Sequence, residues 1–230
     1  MALKRGLDVV GSLLGLVLLS PLFLLVASAI KLDSAGPVFF RQKRVGRNDR
    51  PFRIFKFRSM SVDAPSRGCA LTVRADRRIT RVGHFLRSTK LDELPQLINV
   101  LVGDMALVGP RPEVPEFMDF YSPEQRAIIV SVRPGITDFA AILFRDESAM
   151  LDGAGDPVEV YRKHIMPIKF RYYRRYRDEL GNLTDLRIIV ATLLLVVVGR
   201  APRWLGIESE LPLTPALHRR AATSNPLPRT

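Results

Sequence analysis

Residues Val9 to Ile30 form a run of 22 residues without a charged side chain. As a straight helix the run would extend roughly 33 Å, about the thickness of a bilayer's hydrocarbon core. It is longer than the apolar region of a cleaved signal peptide, about 7–15 residues, and no small-x-small site marks a mature terminus. A plain transmembrane anchor is the simplest alternative, yet Ser20-Pro21 falls near the middle. Proline there removes one backbone donor and frees the carbonyl of Val17 where water cannot replace the bond. Ser20, bonding back to Leu16, would partly repair the break. Lys4 and Arg5 precede the run, and Lys31 and the basic Arg41–Arg58 segment follow it. The positive-inside rule therefore draws both ends to the cytoplasmic side. A helix that bends at Ser20-Pro21 and returns satisfies both.

The whole chain is long enough for one sizeable core, at 47% apolar and 25% charged over 230 positions. Against 23 acids stand 35 Lys and Arg, a net charge of +12, which attracts nucleic acid, acidic lipid or phosphorylated substrates alike. One cysteine, Cys69, excludes an internal disulfide framework and a thiolate zinc cluster, and three histidines leave little for an imidazole site. Any metal must be held mainly by carboxylates and substrate phosphates.

Val38–Val45 and Phe52–Arg58, separated by the turn-forming Gly46-Arg47-Asn48-Asp49, predict a β-hairpin. Between Arg41 and Arg58 lie eight basic residues and one acid, interleaved with Phe52, Phe55 and Phe57. That pattern suits single-stranded nucleic acid. Beside a bilayer it suits lipid head groups and a nucleotide diphosphate better, and more than half of the charges are expected to be plain solvated surface.

Leu94, Leu97, Ile98 and Leu101 carry the i, i+3, i+4, i+7 stripe of a helix with one buried face. Pro95 fits only its first turn, which predicts a start near Asp92. Asp92 and Glu93 then sit at the helix N-terminus. Spacing alone favours a capping role for them. The same free N–H groups would also keep Asp92 ionised and draw phosphate, and an ionised carboxylate is a competent nucleophile toward phosphorus.

Downstream, Gly109-Pro110-Arg111-Pro112 is a rigid turn that fixes one guanidinium suited to phosphate, or an ordinary loop with an exposed charge. Pro157–Leu180, dense in Arg, Lys and Tyr, reads as a helix at a membrane surface or a solvated basic helix, divided at Pro167. Ile188–Val198 is too short to cross a bilayer and suits a core or interfacial helix. The Pro/Ser/Thr-rich end beyond Pro212 is expected to be disordered.

Seven landmarks occur in order: Ser20-Pro21, Gly36-Pro-Val-Phe-Phe40, Lys56-Phe-Arg-Ser-Met60, Asp76-Arg-Arg-Ile-Thr80, Leu91-Asp-Glu-Leu-Pro-Gln96, Gly109-Pro-Arg-Pro112 and Arg133-Pro-Gly-Ile-Thr137. With them the chain, from about Lys4 to Arg200, resembles the bacterial sugar transferases of the monotopic phosphoglycosyl transferase family. The resemblance implies a mainly helical α+β fold with a re-entrant membrane helix over 1–34. A catalytic domain with a small β-hairpin and interfacial amphipathic helices would span 35–200, followed by a partly disordered segment over 201–230.

It also implies that Asp92 attacks the β-phosphorus of a UDP-sugar, UMP leaves, and polyprenol phosphate collects the phosphosugar at the cytoplasmic face of the bacterial inner membrane. Mg2+ would bridge Asp92 and the diphosphate, with Glu93 as a further metal partner or as base toward the lipid phosphate. Lys56, Arg87, Arg111 and Asp76 would serve phosphate and nucleotide binding. Two departures stand out. Asp138-Phe-Ala-Ala141 replaces the commoner Gly-Leu-Ala-Gln, and Ala106 replaces a frequent serine. Asp138, Arg145 and Glu147 are therefore the expected sugar pocket. UDP-sugar, polyprenyl phosphate and anionic lipids are the expected partners, without nucleic acid, and a homodimer is left open. The competing functions are a non-catalytic membrane adaptor and a glycosyl transferase that releases UDP.

Overall fold

A computed structural model describes residues 2–64, 71–72, 76–151 and 156–207. Cys69 and residues 208–230 lie outside the described residues; the first part of the segment expected to be partly disordered, 201–207, is described and carries a short turn, Arg203–Leu205, with Leu205 buried.

Helices α1 (Ala2–Leu18) and α2 (Ser20–Asp33) meet at a bend of 60°. No single helix is long and apolar enough to cross a membrane, although these two pass that test together. The Ser20 hydroxyl donates to the Val17 carbonyl at 2.8 Å. The repair thus falls on the carbonyl that Pro21 frees, one residue along from the expected Leu16. On α1, Asp8, Gly11, Ser12 and Gly15 share one helical face. A Cβ at Gly11 would come within 2.9 Å of Leu107, and one at Gly15 within 3.0 Å of Leu97, so this small stripe lets α1 lie close on the body. Leu3, Leu7, Leu14 and Leu18 are exposed.

Both ends of the bent pair are tied to the same body. Lys4 pairs with Asp185 at 2.5 Å, and Arg5 donates to the carbonyls of Val100 and Leu101. At the far end Arg58, itself buried, donates to the carbonyls of Ser34 and Ala35.

The hairpin forms as expected. Strands β1 (Phe39–Val45) and β2 (Pro51–Phe57) pair antiparallel, with Phe39 opposite Phe57 and Val45 opposite Pro51. Asn48 and Asp49 supply the positive φ of the turn, 56° and 60°, which their short polar side chains tolerate. Helix α3 (Arg81–Thr89) is capped by the Thr80 hydroxyl. Lys90, at φ 61°, then reverses the chain into a tight turn, Leu91–Glu93.

The next helix, α4 (Gln96–Val102), starts later than the apolar spacing suggests. Pro95 has no N–H to donate into a first turn, and the bonds Leu97→Leu94 and Ile98→Pro95 carry the chain in by a tighter i→i+3 path.

The Gly-Pro-Arg-Pro and Arg-Pro-Gly-Ile-Thr landmarks prove to be one structural unit. Strands β3 (Ala106–Val108) and β4 (Gly135–Thr137) pair in parallel, a contact with no local sequence signal. Past the strands, the Gly109 N–H reaches the Thr137 carbonyl at 3.0 Å, and the Gly135 N–H reaches the Pro110 carbonyl at 3.0 Å. A Cβ at Gly135 would lie 2.0 Å from the Gly109 nitrogen, so one backbone must move aside. Gly135→Ala is therefore expected to lower stability by about 3 kcal/mol, measured by chemical denaturation, and to loosen the turn that carries Arg111. An unchanged midpoint would show that the two backbones separate freely.

Short helices α5 (Pro115–Met118), α6 (Pro123–Val130), α7 (Phe139–Leu143) and α8 (Glu147–Met150) follow, with α5 against β1 and α7 against β4. One long helical run follows: α9 (Pro157–Val160), a wide π turn over Tyr161–Ile165, and α10 (Met166–Asp178). Pro167 does not divide it, because the wide turn ahead of Pro167 accommodates the missing donor. Tyr161, Ile165, Lys169, Tyr173 and Tyr176 are buried. The aromatics expected at a membrane surface instead form the inner stripe of a core helix. Helix α11 (Asn182–Val198) buries Ile188, Ala191 and Leu195 and exposes Leu186, Leu193 and Val197.

Candidate active site

A cleft of about 1550 Å³ opens between β2, the 91–93 turn, the 109–112 turn and α7, α8, α10 and α11. Lys56, Arg87, Asp92, Glu93, Arg111, Arg145 and Glu147 all line it. Alternation on β2 turns Lys56 to the cleft and the neighbouring Phe57 to the core.

At its centre Glu93 accepts from Lys56 Nζ at 2.9 Å. Its two oxygens also take the two guanidinium nitrogens of Arg111, one at 2.8 Å and the other closer still. The planar fork of arginine matches a carboxylate in this way. Burial alone would raise the Glu93 carboxyl, but Arg111 and Lys56 together hold it well below the usual range. Burial lowers Lys56 against the attraction of Glu93, whereas Glu93 raises Arg111 despite burial. This favours neither role expected of Glu93. A carboxylate so depressed is a poor proton acceptor, and oxygens already carrying two cations are not free for a metal.

Asp92 behaves in the opposite way. It is 4% exposed, and its Oδ1 has no hydrogen-bond partner among the described residues. It does not cap α4, whose N-cap position is taken by Pro95 without a side-chain capping bond. Burial, reinforced by the charge of Glu93, raises its pKa against the pull of Lys56, Arg87 and Lys90. The expectation that N–H groups would hold Asp92 ionised is thereby corrected. Pro95 displaces the helix start, so Asp92 receives none of those bonds. A desolvated carboxylate facing a cleft is the more reactive nucleophile.

Two expected site residues do not line the cleft. Asp76 is clamped by Arg78, with contacts of 2.6–3.1 Å, and that hydrogen bonding lowers its pKa. Asp138, 1% exposed, caps α7 through the Ala141 N–H and accepts the Arg111 N–H at 3.2 Å. Burial pushes it to about 6. With both oxygens so engaged, Asp138 holds the Arg111 turn in place instead of forming a pocket wall. Arg145 is anchored to the Leu195 carbonyl, and Glu147 pairs with Lys169 at 2.5 Å.

The sequence reading missed Arg44, Glu113, Tyr161, Lys169 and Tyr173, all of which line the cleft. Arg44 donates to the Pro112 carbonyl at 2.8 Å. Buried Glu113 accepts from the Tyr161 hydroxyl at 2.9 Å, and Lys169 donates to the same hydroxyl at 3.1 Å. One signal was available: Tyr161, Ile165, Lys169 and Tyr173 recur every four residues, which sets a lysine on an otherwise apolar and aromatic stripe.

Among the described residues no group of three or more His, Cys, Asp or Glu is arranged to hold a metal. A hard cation shared between one carboxylate and substrate phosphates needs less. The unpartnered oxygen of Asp92 fits that requirement; Glu93 does not.

A model of the bacterial sugar transferase family matches residues 1–199. Over 143 residues the chain is 46% identical to the UDP-N-acetylgalactosamine-undecaprenyl-phosphate N-acetylgalactosaminephosphotransferase of Aeromonas hydrophila, covering 61% of this chain and 34% of that protein. It is 45% identical over 164 residues to the UDP-glucose:undecaprenyl-phosphate glucose-1-phosphate transferase of Caulobacter vibrioides, covering 70% and 59% respectively. An exopolysaccharide production protein of Rhizobium leguminosarum bv. phaseoli is 53% identical over 112 residues, 48% of this chain and 56% of that protein. The matches thus span less than two thirds of each relative's length.

Proposed function

The chain belongs to the bacterial sugar transferase family, and we propose that it transfers a sugar phosphate from a UDP-sugar to polyprenol phosphate through a covalent adduct on Asp92. The observation that carries this reading is the contrast within the pair. Glu93 is saturated by cations, while Asp92 lies buried with an unpartnered oxygen in the same cleft.

The diphosphate of the substrate enters beside Lys56, Arg87 and Arg111, whose charges offset its own. An Asp92 oxygen attacks the β-phosphorus. That P–O bond forms as the bond to the α-phosphate oxygen breaks, and UMP departs with the bonding electrons. A phosphate oxygen of the lipid acceptor then displaces the Asp92 carboxylate, giving polyprenyl-diphosphate-sugar. Asp92 is the residue that would hold Mg2+, which would supply further charge neutralisation.

The exposed leucines of α1 and α2, with both ends of the pair tied to one body, support a re-entrant segment in the cytoplasmic leaflet of the inner membrane. The two named transferases act on different sugars at nearly equal identity to this chain, so several UDP-sugars belong in the assay. Arg41, Lys43, Arg50 and Arg53 form an exposed basic face, but the adaptor reading does not explain why Lys56, Arg44 and Arg111 gather with Asp92 and Glu93 in a cleft.

The test uses the full chain in lipid nanodiscs with Mg2+, a panel of UDP-sugars and no polyprenol phosphate. One UMP per protein and a phosphosugar mass on the Asp92 peptide are expected. UDP as the product would replace the proposal with an ordinary glycosyl transferase, and no nucleotide turnover with any sugar would leave the adaptor.

A further inference from the structure

Part of the cleft wall is far more polar than a structural core requires. Lys169, 4% exposed, pairs with Glu147 and donates to Tyr161, which in turn donates to buried Glu113. Beside them Tyr173 is fully buried and lines the cleft, yet its hydroxyl has no partner among the described residues. A buried phenol normally finds one.

Arg111 connects this wall to the reactive pair. Its guanidinium meets Glu93, Arg44 donates to the carbonyl of the next residue, Pro112, and Glu113, which follows, accepts from Tyr161. All of them line one cleft, so a ligand whose phosphate meets Arg111 has this wall within reach of its neighbouring ring.

We propose that Tyr173, with Lys169, Glu113 and Glu147, binds hydroxyl groups on a ring of the nucleotide sugar. The inference rests on the UDP-sugar reading above. An aliphatic hydroxyl donates one hydrogen bond and accepts up to two, which matches adjacent carboxylate acceptors and phenol or ammonium donors. The other parts of the substrate fit less well. Phosphate would meet two carboxylates of like charge, uracil has one N–H donor to share between them, and a polyprenol chain has none. Burial, with the charges of Glu113 and Asp138, holds the Tyr173 phenol well above its ordinary pKa, so it keeps the proton it would donate.

The experiment compares Tyr173→Phe with Tyr121→Phe. Tyr121 is an equally instructive control, since its hydroxyl is also buried and unpartnered among the described residues but does not line the cleft. Both variants lose one oxygen without a protein partner and are expected to melt no lower than the parent. In full-length protein, KM for the UDP-sugar in UMP release is expected to rise about tenfold in Tyr173→Phe, the loss of one good hydrogen bond, and to stay unchanged in Tyr121→Phe. The inhibition constant of UMP identifies the ring. If it is unchanged in Tyr173→Phe, the hydroxyls are those of the transferred sugar; if it rises by the same factor, they are those of the ribose. An unchanged KM in Tyr173→Phe, or an equal rise in both variants, overturns the inference. A parent that releases no UMP from any UDP-sugar defeats the functional reading itself, a result separable from an active parent matched by its Tyr173→Phe variant.

Discussion

An Asp92→Asn variant is expected to lose UMP release by at least about a thousandfold, as removal of a covalent nucleophile should, and to be more stable than the parent. The gain follows from the unpartnered Asp92 oxygen in a buried position. Burying an unsatisfied acceptor costs about 1–3 kcal/mol, more when it is charged. Because burial and Glu93 raise its pKa in the folded state, the native protein binds this proton more tightly than the unfolded chain does. The penalty is full at neutral pH and fades as pH falls through the folded value toward 3.8. Thermal melting should thus give the variant an advantage of a few degrees at pH 7.5 that shrinks at pH 4. In the parent, UMP release should rise with pH along an acid limb lying above the ordinary carboxylate pKa. A variant less stable than the parent at pH 7.5 would mean that Asp92 has a favourable partner, and normal UMP release would remove it as nucleophile.

What could be read in the sequence was local. The bend at Ser20-Pro21 and the hairpin follow from proline's missing donor and from β-rich segments flanking Asn48 and Asp49, and both are present. The apolar spacing places the start of α4 too early, because Pro95 does not enter a regular first turn and the chain takes a tighter path there. Other features depend on residues distant in sequence. Nothing near Arg111 announces that Gly135 packs on Gly109, that Asp138 holds its backbone, or that Glu93 receives its guanidinium. The opposed electrostatics of Asp92 and Glu93 were equally hidden. Adjacent acids look equivalent in a sequence, and only the fold delivers two cations to one and, among the described residues, none in direct contact to the other.

That asymmetry yields the converse expectation for Glu93→Gln, a loss of stability. Lys56 and Arg111 would give up the carboxylate they share. Breaking a buried pair costs about 3–5 kcal/mol because a charge is left uncompensated; the lower figure applies here, since 29% of the Arg111 side chain is exposed. Glu93 has a lowered folded pKa, so its contribution is present above the unfolded value of 4.5 and disappears as pH falls through the folded value. Parent and variant melting temperatures should accordingly converge in strong acid. Activity carries a second signature. Glu93 is the second contributor to the raised pKa of Asp92, after burial, so its neutralisation should move the acid limb of UMP release to lower pH even as the rate falls. If Glu93 acts by holding Lys56 and Arg111, UMP release and delivery to polyprenol phosphate should both decline. A variant with an intact UMP burst that fails only in the lipid step would instead restore Glu93 as the base for the acceptor.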